Sequence, residues 1–313
     1  MLEKNKKVYV AGRGMVGSAL LRRLERDGFD RVISPSSKYL DLRNQATVEA
    51  FFASEKPSYV FLAAAKVGGV QANATAAADF LYDNLMIEMN VIEAAYRHGV
   101  EKLMLIASAA VYPRDATQPL SEESLLSGPF EPTNEAYGLA KTAGIKYCDY
   151  LNTQFGASFM SVTPINMYGP GDNYDLEKSH VIPGMIRRFD EAKKCGAGQV
   201  VLWGTGTPIR EFLYSDDMAD ACMLLMNQYK GCGPVNVGTG EPVSIKQLAT
   251  LVAEVVGYQG EIIFDASKPD GAPIRTMDIT QLKNLGWEPG VSLKQGLSLA
   301  YKDYCEGDIR RIR

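Results

Sequence analysis

Three side chains in this sequence have the types and spacing needed for chemistry on a carbonyl or alcohol group. Tyr137 and Lys141 are four residues apart, so both project from one face if the segment is helical. A phenol is a poor acid or base near neutral pH, because its ordinary pKa is about 10. The charge of Lys141 would stabilise the phenolate, and its ammonium could also hold a cofactor ribose. Ser108 follows a predicted strand, where its hydroxyl could hydrogen-bond the substrate oxygen, so we predict that all three residues are catalytic.

A glycine-rich loop lies between the first predicted strand and the helix that follows it. The loop reads Gly12-Arg13-Gly14-Met15-Val16-Gly17. Its glycines would let the backbone turn tightly and approach a pyrophosphate at the helix N-terminus. An ordinary glycine turn is the alternative, and with 16 tyrosines the spacing of Tyr137 and Lys141 could arise by chance. The two features fall in matching elements of one predicted sheet, which favours a dinucleotide-dependent enzyme.

The choice of dinucleotide is read at the end of the second strand, where an acidic residue would bind the adenosine 2′-hydroxyl of NAD. The segment there is Ser34-Pro35-Ser36-Ser37-Lys38 and has no carboxylate. Arg13, Ser36 and Lys38 would give a 2′-phosphate hydrogen-bond donors and positive charge. The sequence therefore predicts NADP(H), although Lys38 in particular could be a solvated loop residue. Asp41 and Leu42 follow, and could line the adenine site.

The elements that would position these residues alternate between short apolar runs and helical patterns. Strands are predicted at 8–11, 31–33, 59–65, 102–107 and 159–164, with helices at 16–27, 76–98 and 134–155. This alternation is typical of an α/β fold with a doubly wound, Rossmann-like parallel sheet. Glycines and prolines interrupt the chain beyond residue 166, which predicts a smaller, mixed α/β substrate lobe. We expect a cofactor lobe at 1–166 with a return at about 212–240, and a substrate lobe at 167–211 and 241–313.

Composition narrows the range of partners and locations. The 313 residues carry 33 basic and 37 acidic side chains, for a net charge of −4, so no basic surface for nucleic acid or an anionic membrane is expected. The five cysteines are scattered and form no Cys-x-x-Cys pair, which argues against disulfides and a metal site. No apolar run reaches the roughly 20 residues that span a bilayer. We expect a cytoplasmic enzyme with reduced thiols.

The glycine loop, Ser108 and the Tyr-Lys pair together resemble the short-chain dehydrogenase/reductase superfamily, in its extended branch that acts on nucleotide sugars. Five longer segments resemble the GDP-L-fucose synthase family, and the similarity covers nearly the whole chain. They are Ala63-Ala64-Ala65-Lys66-Val67-Gly68-Gly69-Val70, Glu131-Pro132-Thr133-Asn134-Glu135, Ser179-His180-Val181-Ile182-Pro183, residues 203–212 and residues 264–271. The resemblance implies NADPH-dependent epimerisation and reduction of GDP-4-keto-6-deoxy-mannose.

The resemblance also implies further site residues by matching positions. Implied cofactor contacts, besides the glycine loop and Lys141, are Ala63, Ala64, Ala65, Pro164, Asn166, Met167 and His180. Implied substrate contacts are Ser108, Asn166, Arg188, Trp203, Arg210, Asp270 and Arg275. Arginine forks suit the diphosphate of a GDP-sugar, and an indole offers an apolar plate to a sugar or base. Without the resemblance, Trp203 could equally be a core residue, and the arginines could be solvated or bound in structural ion pairs.

The sequence departs from the family pattern in two places. The glycine loop is one residue shorter than the family's Gly-x-x-Gly-x-x-Gly. The second departure is Ala110, which stands where the family has a cysteine that shuttles protons with a histidine during epimerisation at C3 and C5. The histidine remains, as His180, and is predicted to be catalytic. A methyl group neither gives nor accepts a proton.

These departures lead to three hypotheses. We predict an NADPH-dependent C4 reductase of a GDP-4-keto sugar, either 6-deoxy-mannose or a related heptose, with epimerisation lost or impaired at Ala110. The first alternative is a bifunctional GDP-L-fucose synthase in which His180 and another group replace the thiol. The second is a non-catalytic NADPH-binding sensor. The two long helices at 76–98 and 134–155 resemble those that pair in dimers of the superfamily, so a homodimer is expected.

Overall fold

The computed structural model describes residues 1–176, 178–231 and 233–307, with only the backbone of residues 70, 71 and 74. The elements follow one another along the chain in this order: β1 (Val8–Ala11), α1 (Met15–Arg26), β2 (Val32–Ile33), α2 (Gln45–Glu55), β3 (Tyr59–Leu62), α3 (Val70–Thr75), α4 (Ala77–Arg97), β4 (Lys102–Ile106), α5 (Glu135–Phe155), β5 (Phe159–Pro164), β6 (Asn166–Tyr168), α6 (Val181–Cys195), β7 (Gln199–Trp203), β8 (Ile209–Arg210), β9 (Phe212–Tyr214), α7 (Ser215–Gln228), β10 (Pro234–Val237), β11 (Val243–Ser244), α8 (Ile245–Val256), β12 (Glu261–Asp265), β13 (Ile274–Arg275), α9 (Thr280–Asn284) and α10 (Leu293–Glu306).

A six-stranded sheet forms the centre of the fold, in the order β10-β5-β4-β3-β1-β2, and every pair in it is parallel. β1, β3 and β5 are buried along their whole length, as expected for strands with helices on both faces. Among the helices that cover the sheet, α4 packs against α2 and α5, and α1 packs against α7. The predicted doubly wound α/β fold is confirmed.

The chain leaves the central sheet after β5 and returns to it at β10. The helix α7 packs on α1, and β10 then pairs with β5, with Val235 opposite Val162. Small sheets occupy the rest of the second half: β7 with β12, β6 with β9, and β8 between β11 and β13. Two hydrophobic clusters result, one around the central sheet and one around α6, α8 and α10. Cys232 and residues 308–313, which the predicted lobes include, lie outside the described residues.

The two long helices predicted from the sequence are present as α4 and α5. The first begins at Ala77, after the short helix α3, and the second begins at Glu135 and ends at Gly156 in the left-handed conformation, with φ of 71°. The helix α2, which the sequence pattern did not indicate, begins at Asn44, whose side chain accepts a hydrogen bond from Thr47 N. These helices and the strand ends between them position the site.

Three further observations concern the described residues only. None of their helices combines the length and the apolar character needed to cross a membrane. Cys148, Cys195, Cys222 and Cys305 are free thiols. No cluster of histidine, cysteine and carboxylate side chains among them could hold a metal ion.

Candidate active site

The structure brings Ser108, Tyr137 and Lys141 together at the end of β4 and the start of α5. Tyr137 and Lys141 lie in the first two turns of α5, and Lys141 Nζ is 5.7 Å from the centroid of the Tyr137 ring. Lys141 Nζ also donates a hydrogen bond to the Ile106 carbonyl oxygen at 3.0 Å, which ties α5 to the last residue of β4. Ser108 is two residues further on and hydrogen-bonds Tyr137. The three predicted catalytic residues therefore form one cluster.

The protonation of Tyr137 follows from its surroundings. Burial raises the pKa of the Tyr137 phenol above its ordinary value, while the charge of Lys141 and the hydrogen bond from Ser108 lower it. The effect of Lys141 thus has the predicted sign, but burial outweighs it in the protein without ligands. A phenol that keeps its proton suits a group that must donate one during reduction.

Lys141 has a buried partner that sequence reasoning missed. Its Nζ lies 2.8 Å from Oε1 of Glu88, which is on α4, and the two side chains are 1% and 0% exposed. Burial by itself lowers the pKa of Lys141, but Glu88 raises it, and the result is above the ordinary value. The sequence did hold a signal: Glu88 lies four residues after Asn84 and three before Val91, on the buried stripe of α4.

The glycine loop forms a cradle in which Gly12 and Gly17 leave no room for a Cβ. Gly12 has φ of 104°, and a Cβ there would lie 2.7 Å from Ala64 N, just after β3. A Cβ on Gly17 would lie 1.9 Å from the Gly12 carbonyl oxygen. Gly14 begins α1, whose first turn has no acidic residue, so the positive end of the helix faces the loop without a competing carboxylate. This arrangement fits a dinucleotide diphosphate.

The residues predicted to bind the adenosine end of the cofactor lie in the glycine loop and after β2. Arg13 and Ser34 line one cleft, and the Ser34 hydroxyl is buried without a hydrogen-bond partner. Lys38 is exposed. The carboxylate of Asp41 is held by Arg43 at 2.9 Å, and these hydrogen bonds lower its pKa. Glu25 also lines the cleft, but Arg13 and Ser34 supply donors there, which fits a 2′-phosphate.

Other predicted cofactor residues lie on turns and strand ends around the cradle. The Ser36 carbonyl oxygen accepts hydrogen bonds from two backbone N–H groups of its own turn, and Leu42 is buried with its carbonyl bonded to Asn90 Nδ2. Asn166, at the start of β6, donates from Nδ2 to the Glu211 carbonyl oxygen at 3.0 Å. The remaining positions are Met15 and Val16 in the first turn of α1, Ala63 and Ala65 after β3, Pro164 at the end of β5 and Met167 in β6.

Two arginines lie beside each other on the small sheet of β11, β8 and β13, and one of them bonds to the turn after Ser108. Arg210 on β8 and Arg275 on β13 are register partners in a parallel pair. Arg275 Nη2 donates a hydrogen bond to the Ala109 carbonyl oxygen at 2.7 Å, next to Ser108. Burial lowers the pKa of both guanidinium groups, and for Arg210 the charge of Arg275 lowers it further. A bound anion would relieve that repulsion.

Asp270 lies near Arg210, and Gly204, the residue after Trp203, packs against Asp270. Trp203 is 68% exposed at the end of β7, with Lys268 Nζ 5.7 Å from its ring centroid. Asp270 accepts hydrogen bonds from Thr205, and its charge raises the pKa of Arg210. Trp203 is therefore no core residue, and its ring is available to a ligand.

Two predicted residues are not joined to this cluster. His180 precedes α6 and is exposed, although the surrounding protein lowers the pKa of its imidazole by desolvation. In the described part of the chain, no hydrogen bond connects His180 to Ser108 or Tyr137. Arg188 is half-buried in the middle of α6.

Ala110 lies within the site itself. It is the central residue of the short 3-10 turn Ala109–Val111, and its N–H donates to Ser108 Oγ at 3.2 Å. A Cβ on Gly138, next to Tyr137, would lie 2.6 Å from the Ala110 carbonyl oxygen. The position that carries a thiol in the family pattern therefore adjoins both Ser108 and the start of α5.

Comparison with known proteins gives the family. The model of the NAD dependent epimerase/dehydratase family matches residues 8–238. GDP-L-fucose synthase 1 of Arabidopsis thaliana is 51% identical over 99% of this chain and 97% of its own length. The chain belongs to this family, in its GDP-L-fucose synthase branch. It is accordingly an oxidoreductase of the extended short-chain dehydrogenase/reductase type, as the sequence predicted.

Two solved structures are also similar over nearly the full chain. A GDP-6-OMe-4-keto-L-xylo-heptose reductase from Campylobacter jejuni has a TM-score of 0.92 and 35% identity, and covers 98% of this chain and 99% of its own. A GDP-mannoheptose C4 reductase from the same organism, with NADP bound, has a TM-score of 0.89 and 36% identity, with coverage of 97% and 100%. Synthases and C4 reductases thus share this architecture.

Proposed function

We propose that this enzyme is an NADPH-dependent C4 reductase of a GDP-4-keto sugar, in which epimerisation at C3 and C5 is lost or impaired. One observation carries the proposal: Ser108, Tyr137 and Lys141 are assembled for reduction, while the adjoining position 110 holds only a methyl group. The sugar would be 4-keto-6-deoxy-mannose or a related heptose. The names of the relatives, fucose synthases and heptose reductases, support this substrate class.

The geometry supports a division of roles in reduction. Bound NADPH would supply hydride to C4. Ser108 would hold the carbonyl oxygen, and Tyr137 would donate its proton to that oxygen as negative charge develops. Lys141, kept positive beside Tyr137, would stabilise the resulting phenolate. Arg210 and Arg275 would bind the diphosphate, and the hydrogen bond from Arg275 to Ala109 would link that binding to the catalytic turn.

The cofactor assignment rests on the cradle and the adenosine end. Gly12, Gly17 and the open N-terminus of α1 would hold the diphosphate, and Arg13 with Ser34 would meet the 2′-phosphate of NADP(H). The NADP-bound reductase among the similar structures supports the same choice. A cytoplasmic location is part of the proposal, because the described cysteines are free thiols.

Epimerisation needs two proton-transfer groups, because inversion at carbon removes a proton on one face and returns it on the other. His180 could provide one of them. Ala110 cannot provide the second. Cys148, on α5, is buried, so its thiol is out of reach of a substrate. We therefore expect slow or absent inversion while reduction proceeds.

The experiment is a nicotinamide absorbance assay with purified enzyme, NADPH and GDP-4-keto sugars of the 6-deoxyhexose and heptose classes. The same sugars carried on UDP serve as the matched control. Absorbance should fall with a GDP-sugar and change little with its UDP counterpart. Tight NADPH binding with no loss of absorbance on any sugar would instead favour the non-catalytic sensor.

The bifunctional GDP-L-fucose synthase is the second candidate. His180 is retained, and the identity to a GDP-L-fucose synthase, 51%, exceeds that to either reductase structure. This candidate requires another group or a water to replace the thiol. A reaction in D₂O distinguishes the two functions. The bifunctional enzyme would introduce deuterium at C3 and C5 of the product, and the C4 reductase would leave protium there.

A further inference from the structure

The contact between Glu88 and Lys141 crosses the interface of α4 and α5 with no access to solvent. Glu88 Oε1 lies 2.8 Å from Lys141 Nζ, and the two side chains are 0% and 1% exposed. A carboxylate so deeply buried is costly unless it is paired, so the sequence would keep one here only with a partner.

The fold leaves room for this carboxylate at a specific glycine. A Cβ on Gly144, one turn after Lys141 on α5, would lie 2.2 Å from Glu88 Oε2 and 2.8 Å from Leu105 Cδ2. With any other residue here, the ends of the Glu88 and Leu105 side chains would have to shift. Glu88, Lys141 and Gly144 form one packing unit, which we call the buried pair site.

Glu88 is the group that balances the lysine charge. Burial raises the pKa of its carboxyl above the ordinary value, and the charge and hydrogen bond of Lys141 oppose that effect. Other groups also face the buried pair site. Tyr137 and Cys148 face it from α5, and burial raises the pKa of both above their ordinary values, so neither carries negative charge near neutral pH. The side of β4 contributes the Ile106 carbonyl oxygen, which accepts from Lys141 Nζ, and Ser108 beyond it. Both of these groups are uncharged.

We propose that Glu88 is a positioning residue of the reductase, which holds Lys141 protonated and fixed between the Ile106 carbonyl and the Tyr137 ring. This inference rests on the proposed function, because it assigns Glu88 a part in the same proton transfer. With the ammonium held in this way, Lys141 supplies its charge at the moment Tyr137 becomes a phenolate. Without the carboxylate, the buried lysine loses its proton more easily, since burial disfavours the charged form.

The test is Glu88→Gln, which keeps the shape of the side chain and removes its charge. We expect kcat for NADPH oxidation to fall by about tenfold or more, with KM for the sugar changed by less than about threefold. We also expect the decline of kcat at alkaline pH to begin at lower pH, because Lys141 deprotonates earlier. Glu88→Asp retains the charge and should recover a substantial part of kcat.

The matched control is Glu93→Gln, a carboxylate on the same helix whose partners are Tyr147 and Arg97. It should leave both kcat and the pH profile unchanged. Gly144→Ala is a second variant, in which the charge remains but the new Cβ displaces Glu88 from Lys141. It should reproduce the kcat loss and the pH shift of Glu88→Gln.

A direct titration separates this inference from the proposed function. In protein labelled at lysine ¹³Cε, the NMR signal that disappears in Lys141→Met reports Lys141, with no substrate required. Glu88→Gln should move its titration to lower pH. An unchanged titration together with a wild-type pH profile would overturn the role of Glu88, even if Glu88→Gln lowered the melting temperature. Absence of turnover in the wild type would reject the proposed function and leave the titration as the test of Glu88.

Discussion

At the residue scale, the proposed reduction depends on Tyr137 keeping its proton until hydride arrives. Burial and Glu88 raise the pKa of the phenol, while Lys141 and Ser108 lower it. The balance keeps Tyr137 protonated in the resting enzyme, and the carbonyl oxygen becomes a better proton acceptor as it gains negative charge. A phenol that is protonated at rest is in the form that reduction requires.

Tyr137→Phe should lower kcat for NADPH oxidation by a factor of about 10² or more, the range expected when a general acid is removed. NADPH binding, followed by fluorescence, should change little, because the phenol is no part of the glycine cradle. Tyr147→Phe is the control, since Tyr147 lies on the same helix and bonds Glu93 instead. Equal kcat in Tyr137→Phe and the wild type would remove Tyr137 from the mechanism.

Ala110→Cys tests whether the missing thiol limits proton exchange beside the ketone. The new thiol would adjoin Ser108 and the start of α5, where a second proton-transfer group is missing. We expect the variant to incorporate deuterium from D₂O beside the ketone faster than the wild type, as measured by mass spectrometry of the sugar. Ala110→Ser is the size-matched control. No gain in exchange would mean that the site lacks more than the thiol.

At the scale of elements, the positions that depend on periodicity and turn chemistry were predictable. The Tyr-Lys pair marked α5, the apolar runs marked the buried parallel strands, and the glycine loop marked the junction of β1 and α1. The ion pair between Glu88 and Lys141 was not predicted, because a charged residue on an apolar helix stripe gives no indication of which helix will face it. Likewise, the link from Arg275 to Ala109 joins positions 166 residues apart and depends on tertiary structure.

The helix α2 was missed for a related reason. Its sequence, from Gln45 to Glu55, has almost no apolar periodicity, so the pattern that marks amphipathic helices is absent. Its start is instead fixed by the Asn44 cap, a local hydrogen bond. The predicted lobe boundaries remain predictions.

The glycine cradle gives a prediction about the junction of β1 and α1. Gly17→Ala should lower the melting temperature by several degrees, because its Cβ would overlap the Gly12 carbonyl oxygen and overpacking costs about 1–3 kcal/mol. Gly14→Ala should shift it by less than about 1 °C, since a Cβ there meets no atom within 4 Å and the backbone is extended. Differential scanning fluorimetry without cofactor measures both. Equal shifts would mean that the close contact is absent.

At the scale of the whole molecule, the outer faces of α4 and α5 suggest a homodimer. Large apolar side chains are exposed on these helices: Tyr82, Leu139, Tyr150 and Phe155. We expect light scattering to give twice the chain mass of 34.2 kDa. Tyr150→Glu should shift the protein toward monomer, whereas Tyr39→Glu, an exposed tyrosine away from these helices, should leave it dimeric. A monomeric wild type would contradict this expectation.

The central claim is that the molecule retains the reductive half of the family's chemistry and has lost the epimerising half. The measurement that tests it most directly supplies GDP-4-keto-6-deoxy-mannose and NADPH to the enzyme in D₂O and determines the product by NMR. We expect a sugar reduced at C4, with protium at C3 and C5 and their configurations unchanged. Deuterium at C3 and C5 with fucose stereochemistry would contradict it, and would show that the enzyme epimerises without the thiol.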